Sequence, residues 1–281
     1  MVLVGTTQVP VIVFSEECMK PGKSSWAKAC EVIVQALEDN GCFILDHPNV
    51  PLGLHDSIFS VAEDLFDVPH ESKIKNINLK PVLGYTGQIP ATSVVEALTI
   101  VGPEKLEECE KFTSLMWPSG NDRFCKAAHD YGKFIAEIEE VLFRMVCQSY
   151  GVEKCYDPYI DSTSYLLRFL KSRRPEGVEA WSNGRIKACD YQVVVTEENQ
   201  VGYSLATFSY VMGMIEMPEE FIDEAYPRQY KPFIHMDFLC FYDSTDDCMK
   251  GESLIGSFCR VRPNNLHDSF RMDILYALHV K

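Results

Sequence analysis

The chain has 281 residues, enough for one large domain or two small ones, with 46% hydrophobic and 24% charged residues, the balance of a globular protein. Its formal net charge of −15 argues against nucleic acid or anionic membrane as a partner, since both need basic surface. No basic cluster, no apolar run of about 18 residues and no secretion-signal pattern in "MVLVGTTQVPVIVFSEE" are present, so a cytoplasmic chain that spans no membrane is expected.

The elements follow in order. "VPVIVFS" (9–15) reads as a short strand. "KSSWAKACEVIVQALEDNG" reads as an amphipathic helix, with Trp26, Ala29, Ile33 and Leu37 on one face, Ser24 or Ser25 as its cap and Gly41 as its stop. "CFILDH" is a strand, and a second helix runs from about His55 to Phe66 before Pro69 disfavours helix at the residue preceding it. Residues 76–120 read as irregular and turn-rich. From Asp122 to Tyr150, Phe124, Ala128, Tyr131, Ile135, Ile138, Leu142 and Met145 keep helical spacing, and Gly151 ends the pattern. The texture then changes to strands in "TSYLLRFLKS", "YQVVVTEE" and "YSLATFSYVMGMIEM".

These elements predict an α+β fold, with helices packed on a sandwich or jelly roll. The expected divisions are 1–160 (helical region), 161–242 (β core) and 243–281 (a divergent tail, with a helix suggested around Phe270–Leu278). The eleven cysteines are scattered without a C-x-x-C pair, which favours free thiols over a zinc site or a disulfide scaffold. No G-x-S-x-G, Walker A or G-x-G-x-x-G string is present.

Many segments in order resemble the plant 2-oxoglutarate- and Fe(II)-dependent dioxygenases, in the branch that modifies glucosinolate side chains. They are "VPVIVFS", "VQALEDNGCF", "AEDLFDVPHESKIKN", "KPVLGYTGQ", "EALTI", "FTSLMWPSGN", "STSYLLRFLK", "WSNGRIKAC" and "MPEEFIDEAYPRQYKPF". The resemblance implies a helical N-terminal region on a double-stranded β-helix of jelly-roll type, with Fe(II) and 2-oxoglutarate as cofactors. Its iron is held by an H-x-D pair on one strand and a distal His, because residues i and i+2 of a strand share a face. An R-x-S pair grips the far carboxylate of 2-oxoglutarate through its Arg.

The same resemblance exposes departures. Only Glu176–Ala180 separate Pro175 from Trp181, where the family carries the H-x-D strand and several more. Tyr191 stands at the distal-His position, and a neutral phenol is a poor Fe(II) ligand. Gly202 takes the place of the Arg, leaving Ser204 as a remnant of the cosubstrate site. No catalytic residue and no metal ligand is therefore assigned, and Fe(II) and 2-oxoglutarate are not expected to bind.

His235-Met236-Asp237 is a literal H-x-D in a different setting. On a helix its two side chains would lie roughly 200° apart and could not share a metal. The other histidines of the first half (His47, His55, His70, His129) lack ligand spacing. Asp190 reads as a solvated loop carboxylate, and Trp117, Tyr85 and Phe112 as core aromatics. Loss of interior strands predicts an incomplete barrel whose edges a second copy of the chain could cover. The leading expectation is an oxidoreductase family member without catalysis. The alternatives are an active enzyme with an iron site rebuilt on His235, Asp237 and His267 or His279, or a noncatalytic interaction protein.

Overall fold

The computed structural model describes residues 9–77, 83–87, 96–170, 182–183, 185, 204–244 and 254–261. Strand β1 (Val11–Val13) pairs in parallel with β2 (Ile44–Asp46), and α1 (Ser24–Asn40) crosses between them. Gly41 ends α1 in the left-handed region (φ 71°), its N–H donating to the Leu37 carbonyl. Neither serine caps the start. Lys23 holds the N-cap position without a side-chain bond, and the Ser25 hydroxyl donates instead to the Glu17 carbonyl.

Helices α2 (Leu54–Phe66) and α3 (His70–Lys73) follow. The stretch expected to be irregular contains two regular elements, β3 (Ala97–Val101) and α4 (Leu106–Met116). The helix has a physical reason that the sequence displays: Cys109, Phe112, Thr113 and Met116 lie at i, i+3, i+4 and i+7 and are all buried.

The 28-residue α5 (Asp122–Ser149) is the central rod, and Asn121 caps it by accepting from the Phe124 N–H at 3.0 Å. Its first half joins α2, α4 and the sheet in one core, in which Phe124 packs on Phe112, Trp117 and Phe169. Its second half packs on α1 and the first two strands through Ile138, Leu142, Met145 and Val146. Trp26 Nε1 donates to Gln148 Oε1 (2.7 Å) across that contact. Near its C-terminal end Cys147 joins Val152, Met217 and Phe221 in a third cluster.

After α6 (Tyr156–Ser162), β4 (Thr163–Leu170) pairs antiparallel with β3 on one side and with β5 (Ser204–Val211) on the other. Strands β6 (Met214–Ile215) and β7 (Phe233–Ile234) form a second antiparallel pair. Helix α7 (His235–Ser244) continues directly from β7, and α8 (Leu254–Cys259) packs on it through Phe238, Phe241 and Phe258. This is an α+β arrangement, with α2, α4 and α5 on one face of the three-stranded sheet and Met236 of α7 reaching the other. Among the described residues no helix is long and apolar enough to cross a membrane. The expected strand at 191–198 and the expected helix at 270–278 lie outside the described residues.

Candidate functional site

The two faces of the three-stranded sheet have different chemistry. Tyr165, Leu167 and Phe169 of β4 point to the helical layer, while Leu166, Arg168 and Leu170 alternate to the far side. That far side carries a small apolar cluster of Leu83, Leu166, Tyr210 and Met236. Arg168 reaches Thr86 Oγ1 at 3.3 Å there, and burial lowers its pKa.

The H-x-D triplet falls in the first turn of α7. His235 is turned inward, 9% exposed, with its ring edge-on to Tyr210. Its Nδ1 accepts from the Val211 N–H at 3.3 Å, and burial pushes its pKa down to about 4. Asp237 is exposed to solvent. One side chain thus serves the join between β5 and α7, and the other faces water. The rebuilt iron site would need His235 to abandon Val211.

Ser204 opens β5 opposite Leu170. Tyr191, Asp190, Gly202, His267 and His279, and the Pro175–Trp181 junction, lie outside the described residues. His47 contacts Met19 and packs edge-on to Phe134, His129 faces the Pro103 carbonyl, and His55 and His70 sit on α2 and α3. Phe112 and Trp117 belong to the central core. Among the described residues no three His, Cys, Asp or Glu side chains converge in a way that could hold a metal ion. The described donors therefore do not fit an iron of the two-His, one-carboxylate kind.

Two polar constellations escape pattern reading because their members are distant in sequence. In the first, Lys73 is buried on α3 and donates to the Phe66 carbonyl (2.6 Å) and to both oxygens of Glu96 (3.1 and 3.0 Å). Tyr85 donates to Glu96 Oε1 at 2.9 Å, and its phenol is pushed up to about 12 by burial and then by that carboxylate. In the second, Asn183 sits fully buried in the left-handed region (φ 55°). Its Nδ2 donates to the carbonyls of Phe221, Tyr226 and Pro227, while its Oδ1 accepts from the Gln229 N–H. Arg185 lies over the Tyr226 ring and pairs with Asp223 at 3.2 Å. Asn183 and Arg185 thus fasten the 219–229 loop.

Comparison with known proteins places these features in context. Residues 9–114 match the family model described as "non-haem dioxygenase in morphine synthesis N-terminal". A protein of Arabidopsis thaliana named "Probable 2-oxoglutarate-dependent dioxygenase AOP1" is 28% identical over 299 aligned positions, covering 84% of this chain and 91% of that protein. Since 84% of 281 residues is about 236, roughly 60 of those positions have no residue in this chain. The 2-oxoglutarate-dependent dioxygenase AOP2 of the same plant is 35% identical over 170 positions, covering 60% of this chain and 39% of AOP2. Among solved structures, the dioxygenase for auxin oxidation 1 of A. thaliana, in complex with 2-oxoglutarate, superposes with a TM-score of 0.63 at 20% identity, covering 79% of this chain and 100% of that one. The rice dioxygenase for auxin oxidation superposes with a TM-score of 0.60 at 16% identity, covering 84% and 95%.

Proposed function

We propose that this chain, which belongs to the 2-oxoglutarate-dependent dioxygenase family, keeps the frame of that fold without a working iron centre. The observation that supports the reading is that roughly 60 aligned positions have no residue in this chain, although the alignment with AOP1 spans most of both chains. Gathered at one place in a jelly roll, a loss of that size would remove strands of the barrel wall rather than a surface turn. On the sequence resemblance, we assign the loss to the Pro175–Trp181 junction, where the family carries its H-x-D strand.

Three further observations agree. By the sequence resemblance, Tyr191 and Gly202 stand where the family carries its distal histidine and cosubstrate arginine. His235 is spent on the Val211 N–H, and Asp237 faces solvent. An iron centre needs all its ligands at once, so these losses belong together.

The experiment is a thermal melt of the purified chain with and without Mn(II) and 2-oxoglutarate, alongside an assay for Fe(II)-dependent conversion of 2-oxoglutarate to succinate. A site filled at 100 times its Kd would add about 2.7 kcal/mol. The expected result is an unmoved midpoint and no succinate. A clear rise in midpoint that requires both ligands, or succinate above a metal-free control, overturns the reading.

A further inference from the structure

Asparagine is followed directly by glycine at Asn40–Gly41 and at Asn183–Gly184. Such a pair carries its own chemistry. Glycine has no side chain to shield its backbone nitrogen, which can attack the asparagine Cγ and close a five-membered succinimide. The bond from Cγ to Nδ2 breaks in that step, and the side-chain nitrogen leaves as ammonia. Water then opens the ring at either carbonyl to give aspartate or isoaspartate, and nothing is oxidised or reduced.

The fold treats the two asparagines differently. Asn40 is half-buried at the end of α1, and its Nδ2 donates to the Ala36 carbonyl at 3.4 Å. Asn183 is fully buried, and the 219–229 loop holds both ends of its carboxamide. Nδ2 donates to the carbonyls of Phe221 (3.1 Å), Tyr226 (3.3 Å) and Pro227 (3.3 Å), and Oδ1 accepts from the Gln229 N–H at 2.9 Å. The Gln229 side chain reaches back and donates to the Asn183 carbonyl at 3.0 Å. Attack on Cγ needs the carboxamide to turn towards the following backbone nitrogen, and these bonds hold it against that rotation.

We propose that Asn183 is a deamidation site, protected while the 219–229 loop is fastened and converted irreversibly once the loop has opened. The atom expelled as ammonia, Nδ2, makes three of the four carboxamide bonds to the loop. The carboxylate left behind carries a charge and can only accept, so it cannot return to three carbonyls. Isoaspartate changes the backbone as well, because the main chain then runs through the side-chain carbon and is longer by a methylene. One opening followed by reaction is therefore permanent, and the chain keeps a chemical record of it. The site is independent of whether an iron centre exists.

The test is conversion at Asn183 in the full chain aged in warm, mildly alkaline buffer, read by peptide mass mapping and by enzymatic carboxyl methylation of isoaspartate. The folded chain should convert Asn183 at least about tenfold more slowly than the same chain unfolded in urea, because reaction waits on local opening. Gln229→Ala, which removes the bond to the Asn183 carbonyl, should speed conversion at Asn183 severalfold and leave Asn40 unchanged. Converted molecules, separated by charge, should be cleaved within 219–229 faster than unconverted molecules of the same sample. Equal rates at Asn183 in the folded and unfolded chain overturn the proposal, and so does a converted fraction that resists cleavage as the parent does. A Gln229→Ala rate equal to the parent's also overturns it. Should Gln229→Ala fail to fold, the parent chain in urea below its unfolding midpoint takes its place. Conversion at Asn183 should rise there ahead of that at Asn40, and a rise in step at both sites overturns the local release.

Discussion

Gly132 of α5 lies directly beneath Pro103. A Cβ placed on Gly132 would stand 2.5 Å from the Pro103 Cβ and 2.8 Å from its carbonyl carbon. The backbone of the turn after β3 thus rests on the helix with no room for a methyl group. In an exposed helix Gly→Ala stabilises by about 1 kcal/mol. Here Gly132→Ala should instead destabilise by about 1–3 kcal/mol, because proline backbone cannot move aside as a flexible side chain would. The urea midpoint should fall, and a midpoint that rises would show the turn to be free to shift.

His235 predicts an acid-sensitive join. Its folded pKa of about 4 lies below the ordinary histidine value of 6.5, so the unfolded chain binds more protons between the two. The stability it contributes is complete above about pH 6.5 and is lost as pH falls towards 4. His235→Leu should lower stability at neutral pH by roughly 1–3 kcal/mol, since the buried Val211 N–H loses its acceptor. It should also remove part of the loss between pH 6.5 and 4. Denaturant titrations at pH 5 and pH 7 check both, and equal losses at the two pH values would contradict the assignment.

The Asn183 clamp depends on which atom donates. Asn183→Asp retains the acceptor for Gln229 but turns an oxygen towards three carbonyls. It should cost at least as much as Asn183→Ala, about 2–3 kcal/mol, and both should speed proteolysis within 219–229. Limited digestion followed by mass analysis reads this directly. A harmless Asp variant would mean that the Nδ2 contacts contribute nothing.

Lys73 and Glu96 should be strongly coupled. Lys73→Met leaves Glu96 half-buried without its cation and should cost about 3 kcal/mol. The double variant Lys73→Met, Glu96→Gln should recover part of that loss, because neither charge is then stranded. Additive losses in a double-mutant cycle would show the pair to be independent.

Much of the frame was legible in the sequence. The spacing from Phe124 to Met145 marks α5 because one apolar stripe runs along about six turns, and Gly41 and Gly151 mark real ends because their left-handed φ suits glycine. Helix α4 was missed although its stripe was present, because glycines, prolines and charged residues around it read as turns. The serine caps at Ser24 and Ser25 failed because the competing Glu17 carbonyl lies eight residues away from Ser25. At the site, the sequence could give missing motifs but not the fate of His235, which is set by a contact across 24 residues. The Lys73–Glu96 pair and the Asn183 clamp were invisible for the same reason: each is a product of tertiary proximity rather than local pattern.

Helix α5 serves three separate cores along its length, and only the first includes the sheet. The helix-packed cores around α1 and around Val152 take none of their buried side chains from β3, β4 or β5. A chain built this way divides its packing unevenly along one rod, since two of the three cores draw on helices, short strands and loops alone. Local opening of the three-stranded sheet would then leave those two cores packed, so the cheapest unfolding events should begin at the sheet.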